Sequence, residues 1–214
     1  MHEMKALRPL ALVGGIIGIL FLISLPFANT PWSIPFFGTY WGKKCTATLI
    51  AAHLEKKRAR IPDGELRELA KTIYEASRSY GVDYRLVLAV MEAESNFRQD
   101  VVSNKGAIGI MQVKTIVARE FSRQVGIFYK KNVLNCPHAN VRFGVYYLSW
   151  LGKYFNTDRA VLFAYNVGFT RARQVIGKNS EPKTTYTQRV FEEYERNCTR
   201  LPMDETVGSR QSIT

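Results

Sequence analysis

Between Asp83 and Asn96 the chain runs Leu86-Val-Leu-Ala-Val-Met91, six apolar residues in succession. Wound at about 3.6 residues per turn, such a run is apolar on nearly every face, so it predicts a helix enclosed by protein. With 214 residues the chain is long enough for one domain plus an appendage, and the other elements must wrap around this helix in a single core. Asp83 stands where an N-cap is needed, and the helix is expected to run to about Asn96.

The surrounding pattern is helical as well. Pro62-Asp63-Gly64 marks a turn, after which Leu66, Leu69, Ile73 and Tyr74 recur at helical spacing until Gly81 stops them. An irregular stretch from Ser103 to Gly109 follows, and helical patterning resumes near Val113. It breaks between Asn132 and Pro137, returns from Asn140 to Phe155 and from Asp158 to about Tyr165, and closes with Tyr186 to Cys198. The body therefore reads as mainly α, with room for one small β-hairpin near Val101 to Met111. Residues 64–200 form the expected body, 30–63 a linker or N-terminal extension, and 201–214 a polar, disordered tail.

Ahead of the body, Leu10 to Phe27 is an uncharged stretch of 18 residues, about 27 Å as a helix and close to the bilayer core. Lys5 and Arg8 precede it and no charge follows until Lys43, which predicts a cytoplasmic N-terminus and an exported body. Residues 1–29 are expected to be a signal-anchor or signal peptide. The anchor is favoured, because cleaved signals are shorter and Pro26-Phe27-Ala28 is a poor cleavage site. Trp32, Phe36, Phe37, Tyr40 and Trp41 would then form either an interfacial belt or part of the core.

Thirty Lys+Arg against 18 Asp+Glu give a net charge of +12, which asks for an acidic partner. The run Glu55-Lys-Lys-Arg-Ala-Arg60 is a solvated helix face or a juxtamembrane basic patch. No aromatic residues are interleaved with it, so no nucleic-acid partner is expected. Three cysteines and three histidines form no CxxC, HExxH or Cys/His cluster, and no metal site is expected. Without GxxxxGK[ST] or GxGxxG, no nucleotide cofactor is expected either.

Chemistry must then come from carboxylates, amides and hydroxyls. Glu94 falls on the stripe of Val87, Val90 and Met91, at the end of a buried face. Burial raises a carboxyl pKa, and an acid that keeps its proton near neutral pH can protonate a leaving oxygen. Alternatively, a buried Arg or Lys neutralises Glu94, or the helix ends early and leaves it wet. Glu92 points to another face. Ser95, Ser103, Gln112, Tyr165, Asn166 and Tyr186 are neutral hydrogen-bonding groups suited to a polyhydroxylated ligand. Equally, the two tyrosines could be core residues and Asn166 a helix-end residue before Gly168.

Taken in order, Glu94-Ser95, Ser103, Gly106-Ala-Ile-Gly-Ile-Met-Gln112, Asn140-Val-Arg-Phe-Gly144 with Tyr147-Leu148, and Ala164-Tyr-Asn-Val-Gly168 resemble the soluble lytic transglycosylase catalytic-domain family. The resemblance covers about Leu66 to Arg196. It implies a goose-type-lysozyme-like fold and peptidoglycan glycan strands as substrate; together with the N-terminal segment, a periplasmic enzyme is expected, anchored in the inner membrane or secreted across it. It further implies that Glu94 is the single catalytic acid/base, with Ser95, Ser103, Met111, Gln112, Tyr165, Asn166 and Tyr186 around the sugar. Two other readings keep the cleft: a goose-type lysozyme-like hydrolase using water, and a non-catalytic wall-binding scaffold. Lys114 and Thr115 stand where the family commonly has Met and Pro, which exchanges an apolar contact for a cation. Cys136 replaces a common acidic residue, and for an exported body a Cys136–Cys198 disulfide is expected.

Overall fold

The computed structural model describes residues 35–62 and 64–204, with side chains from Cys45 onward. Among them are eight α-helices: α1 (Pro35–Lys56), α2 (Leu66–Tyr80), α3 (Tyr84–Ser95), α4 (Thr115–Val125), α5 (Pro137–Leu151), α6 (Asp158–Val167), α7 (Phe169–Val175) and α8 (Thr185–Arg200). The predominantly helical architecture agrees with the sequence reading. The apolar run lies in α3, where Val87, Leu88, Ala89, Val90 and Met91 have no solvent exposure. Asp83 caps α3 by accepting a hydrogen bond from the Arg85 amide at 2.8 Å, and Asn96 ends it in the left-handed conformation, at φ 53°. The most extensive helix pairings are α3 with α8 and α2 with α5.

The hairpin is smaller and later than expected. Strand β1 (Ala107–Ile108) pairs antiparallel with β2 (Val113–Lys114), in the register Ala107 to Lys114 and Ile108 to Val113. A single bridge joins Val102 to Ile108. The reversal occurs at residues 109–112, where Gly109 has φ 79° and Gln112 φ 49°. A Cβ on Gly109 would stand 2.4 Å from Asn140 Nδ2 and 2.8 Å from Gln99 Nε2. Only glycine satisfies both the dihedral and this close approach. Val113 and Lys114, read as the resumption of helix, are consumed by β2 before α4 begins.

Other boundaries move for physical reasons. Pro137 occupies the first turn of α5, where its missing N–H costs no helical bond, so that helix starts three residues before Asn140. Helix α7 is too short for a periodic signal and was absent from the sequence reading. Leu201, expected to open a disordered tail, is buried, and Tyr84 donates its hydroxyl proton to the Pro202 carbonyl. Residues 205–214 lie outside the described residues, as does the expected membrane or signal helix of residues 1–29. Among the described residues, no helix is long and apolar enough to cross a membrane.

Within the stretch expected as linker or extension, α1 buries Ile50 and Leu54 completely. The basic run after it is not simply a solvated face. Lys57 Nζ donates to both oxygens of Glu92, at 2.8 and 2.6 Å, and to Glu193 Oε1 at 2.8 Å, tying the end of α1 to α3 and α8.

The expected Cys136–Cys198 disulfide is not formed: Cys45, Cys136 and Cys198 are exposed free thiols. Cys198 lies in the electrostatic neighbourhood of Arg85 and Asp83 at the start of α3. Cys136 follows Asn135, whose carbonyl accepts from Gln99 just beyond the end of α3. The length of α3, about 18 Å for 12 residues, separates the two neighbourhoods, beyond the reach of a disulfide.

Replacing Lys57 leaves two neighbouring carboxylates without their shared cation. This partly buried site lies between the surface and buried limits for ion pairs. Lys57→Met is expected to lower unfolding free energy by about 2 kcal/mol, and adding Glu92→Gln should restore more than half of the loss. Urea unfolding of both variants checks this; equal loss in the single and double variants would contradict the shared-cation account.

Candidate functional site

Glu92 and Glu94 are two residues apart on α3, about 200° around the helix, and this rotation gives them different environments. Glu92 turns to Lys57. Glu94, in the last turn of α3, is half-buried and accepts a hydrogen bond from the Tyr186 hydroxyl, with Oη to Oε1 at 2.7 Å. Burial pushes the Glu94 carboxyl up to about 6, against the smaller opposing pulls of the Tyr186 hydrogen bond and the Arg189 charge. Among the described residues no Lys or Arg lies within ion-pair distance of Glu94, so the alternative of a neutralising cation applies to Glu92.

Helix α8 supplies Tyr186 from its first turn. The turn is fixed by a reciprocal cap: the Thr184 hydroxyl accepts from the Thr187 amide at 3.1 Å, and the Thr187 hydroxyl accepts from the Thr184 amide at 2.9 Å. One turn further on, Arg189 donates to the Ala93 carbonyl beside Glu94. Burial first, and the Glu94 charge next, raise the Tyr186 hydroxyl pKa well above its ordinary value, so Tyr186 remains a donor.

Most of the other expected residues build the wall beside this pair. Ser95 is buried and donates to the Ile110 carbonyl at 2.8 Å, joining α3 to the loop of residues 109–112. Fully buried Met111 receives Tyr165: the Tyr165 hydroxyl donates to the Met111 carbonyl at 2.8 Å. Gln112 folds back, its Nε2 donating to the Val101 and Gly109 carbonyls at 3.1 and 2.9 Å. Ser103 organises the turn before β1 by accepting from the Ala107 amide at 3.0 Å. Asn166 is exposed at the end of α6, and Lys114 is exposed in β2. Thus the structure joins Glu94 directly to Tyr186, whereas Ser95, Ser103, Met111, Gln112 and Tyr165 engage the backbone of the adjoining loops.

Two residues outside the expected site set are central to that wall: Gln99, and Asn140, which opens one of the family-like motifs. Buried Gln99 accepts from the Ile110 amide at 3.0 Å and donates to the Leu134 and Asn135 carbonyls, each at 2.9 Å. Fully buried Asn140 accepts from the Met111 amide at 2.9 Å and donates to the Ile108 and Leu134 carbonyls at 2.8 and 3.0 Å. Asn140 shares a buried face of α5 with Gly144, Leu148 and Leu151. A polar residue on a buried stripe, the criterion that picked out Glu94, would have found it. Gly144 is needed because a Cβ there would lie 2.5 Å from Met111 Sδ. No group of metal-ligating side chains occurs among the described residues.

The raised Glu94 pKa fixes the sign of a stability test. A carboxyl at about 6 when folded, against an ordinary 4.5, binds more protons folded than unfolded across that window. Stability therefore falls as pH rises through it, by about 2 kcal/mol in all. Glu94→Gln lacks this titration, so between pH 4 and 7.5 wild type should lose about 2 kcal/mol relative to the variant. Parallel urea-unfolding profiles would contradict the burial of the acid.

The model of the transglycosylase SLT domain family matches residues 71–188. Curated relatives include the "membrane-bound lytic murein transglycosylase C" of Cronobacter sakazakii, 33% identical over 147 residues, covering 64% of this chain and 39% of that one. The protein of the same name from Salmonella arizonae is 36% identical over 134 residues, covering 58% and 35%. The chain thus spans little more than a third of the length of these relatives. An X-ray structure of an inactive mutant of the lytic transglycosylase Slt from Pseudomonas aeruginosa superimposes with a TM-score of 0.58 at 23% identity, covering 79% of this chain and 32% of that one, a likeness of fold. With more than half of its residues matched by the family model, this chain belongs to the transglycosylase SLT domain family.

Proposed function

We propose that this protein is a peptidoglycan lytic transglycosylase in which Glu94 serves as both acid and base. The observation that carries the proposal is a half-buried carboxyl, raised to about 6 and hydrogen-bonded by Tyr186, on the central helix of this family's fold. In the first step the Glu94 proton passes to the oxygen linking N-acetylmuramic acid to N-acetylglucosamine. The muramyl C1–O bond breaks, leaving an oxocarbenium-like or substrate-assisted oxazolinium species. In the second, the Glu94 carboxylate takes the proton of the muramyl C6 hydroxyl, whose oxygen bonds to C1. The 1,6-anhydro product forms, Glu94 regains its proton, and no water is consumed.

Tyr186 stabilises the carboxylate between the two steps. Ser95, Gln99 and Asn140 support the loop carrying Met111 and Gln112, while exposed Asn166 is available to sugar hydroxyls. The names of the relatives support placement at a membrane and action on the cell wall. We infer a periplasmic site at the inner membrane, with residues 1–29 as the anchor.

Digestion of purified sacculi followed by mass spectrometry tests the reaction, since an anhydro end is one water lighter than a reducing end. Anhydro ends are expected. Reducing ends would establish the hydrolase, and intact sacculi the scaffold. Glu94→Gln should cut at least about 100-fold more slowly. Because the acid must hold its proton, wild-type activity should decline as pH rises through about 6. Tyr186→Phe removes a bond to the carboxylate form and should shift that decline to higher pH.

A further inference from the structure

A groove of about 360 Å³ lies between the end of α3 and α8, lined by Glu92, Ala93, Asn96, Arg189, Glu193 and Arg196. Its Arg189 end approaches the acid: the Arg189 charge acts on the Glu94 carboxyl, and its guanidinium donates to the Ala93 carbonyl beside it. Its two carboxylates are already matched. Lys57 holds both oxygens of Glu92 and one of Glu193, and Arg196 Nη2 holds the other Glu193 oxygen at 2.7 Å. Although burial opposes it, hydrogen bonding to Lys57 and Arg196 keeps the Glu193 pKa below the ordinary carboxylate value.

Arg189 remains. It is exposed, and no carboxylate lies within 4.0 Å of it among the described residues. Its bond to the Ala93 carbonyl uses one Nη2 proton, leaving most of the guanidinium fork for a ligand. Lys57 and Arg196 are held by Glu92 and Glu193, whereas Arg189 has no carboxylate in contact and meets the Glu94 charge only at longer range. The exposed Asn96 amide adds a neutral donor on the same wall. A planar fork with no carboxylate in contact suits a carboxylate ligand, which can accept two parallel N–H bonds. Neutral sugar hydroxyls do not require the guanidinium charge.

Resting on the transglycosylase reading, we propose that this groove binds a carboxylate of the peptide attached to the muramyl sugar, through Arg189, so that the enzyme prefers peptide-bearing glycan strands to stripped ones. The peptide leaves the same sugar ring whose C1 is cleaved, so it must emerge near the acid, where the groove lies. Occupation also couples to the chemistry. Arg189 opposes the effect of burial on Glu94, and a carboxylate placed on its guanidinium weakens that opposition, favouring the protonated acid.

The test compares peptide-bearing strands with strands stripped of peptide by an amidase, as substrates of the full chain and of Arg189→Gln. The ratio of the two kcat/KM values is expected to exceed one for wild type and to fall about tenfold in Arg189→Gln, with Arg189→Lys between. A ratio unchanged by the substitution, or no wild-type preference, overturns the proposal. Calorimetry on the Glu94→Gln variant provides the second arm. Soluble peptide-bearing oligomers should bind more tightly than peptide-free ones of equal length, with the difference shrinking at high salt; equal affinities overturn the proposal. If wild type cleaves neither strand, the transglycosylase reading fails, while the calorimetric comparison still decides the groove.

Discussion

The site depends on the desolvation of one carboxyl by the helix that carries it. Helix α3 is enclosed because its middle has no polar face, and Glu94 comes one turn after the last of those residues. That turn is close enough to the core to lose water and close enough to the surface to meet solute. Burial wins over the Tyr186 hydrogen bond and the Arg189 charge, so the carboxyl titrates near 6 instead of 4.5. Two residues earlier on the same helix, Glu92 meets Lys57 at 2.6 Å, which offsets its loss of water with a cation. Helical rotation thus keeps the ion pair away from the acid.

The facing loop is held by side chains, because its strands are too short to hold it. Two residues in each strand cannot fix a register against thermal slippage. Instead, Gln99 and Asn140 each take one loop amide as acceptors and grip two carbonyls as donors, while Ser95 and Tyr165 donate to the carbonyls of Ile110 and Met111. Such a network satisfies buried backbone groups that no sheet reaches, and any one missing bond would leave a polar atom unpaired. It requires the backbone at Gly109 and Gly144 to approach so closely that no Cβ fits.

How much of this is legible in the sequence depends on whether the signal is local. The burial of α3, its cap at Asp83 and the anomalous position of Glu94 follow from periodicity within one segment, and all three appear in the structure. Tyr186 stands out as a hydrogen-bonding residue, yet nothing near it in the chain reveals that it meets Glu94 across 92 positions. Lys57 looks like part of a basic run because its carboxylates lie 35 and 136 residues away. Helix α7 escaped because seven residues make scarcely two turns. The expected disulfide rested on an inference about compartment, and the length of α3 keeps the two thiols apart.

A single group that must first give and then recover a proton needs an intermediate pKa. Near 4.5 the carboxyl would hold its proton in fewer than about one molecule in 100 at pH 7; near 6 the share is about one in ten. A much higher value would favour the acid but make it a poorer donor to the leaving oxygen. The surroundings of Glu94 fit that compromise: enclosure raises its pKa, and a neutral hydroxyl restrains the rise without locking the charge. A permanent lysine or arginine partner would have favoured the base at the expense of the acid. Arg189 lies between these extremes, near enough to be felt electrostatically and free to be compensated by an incoming anion.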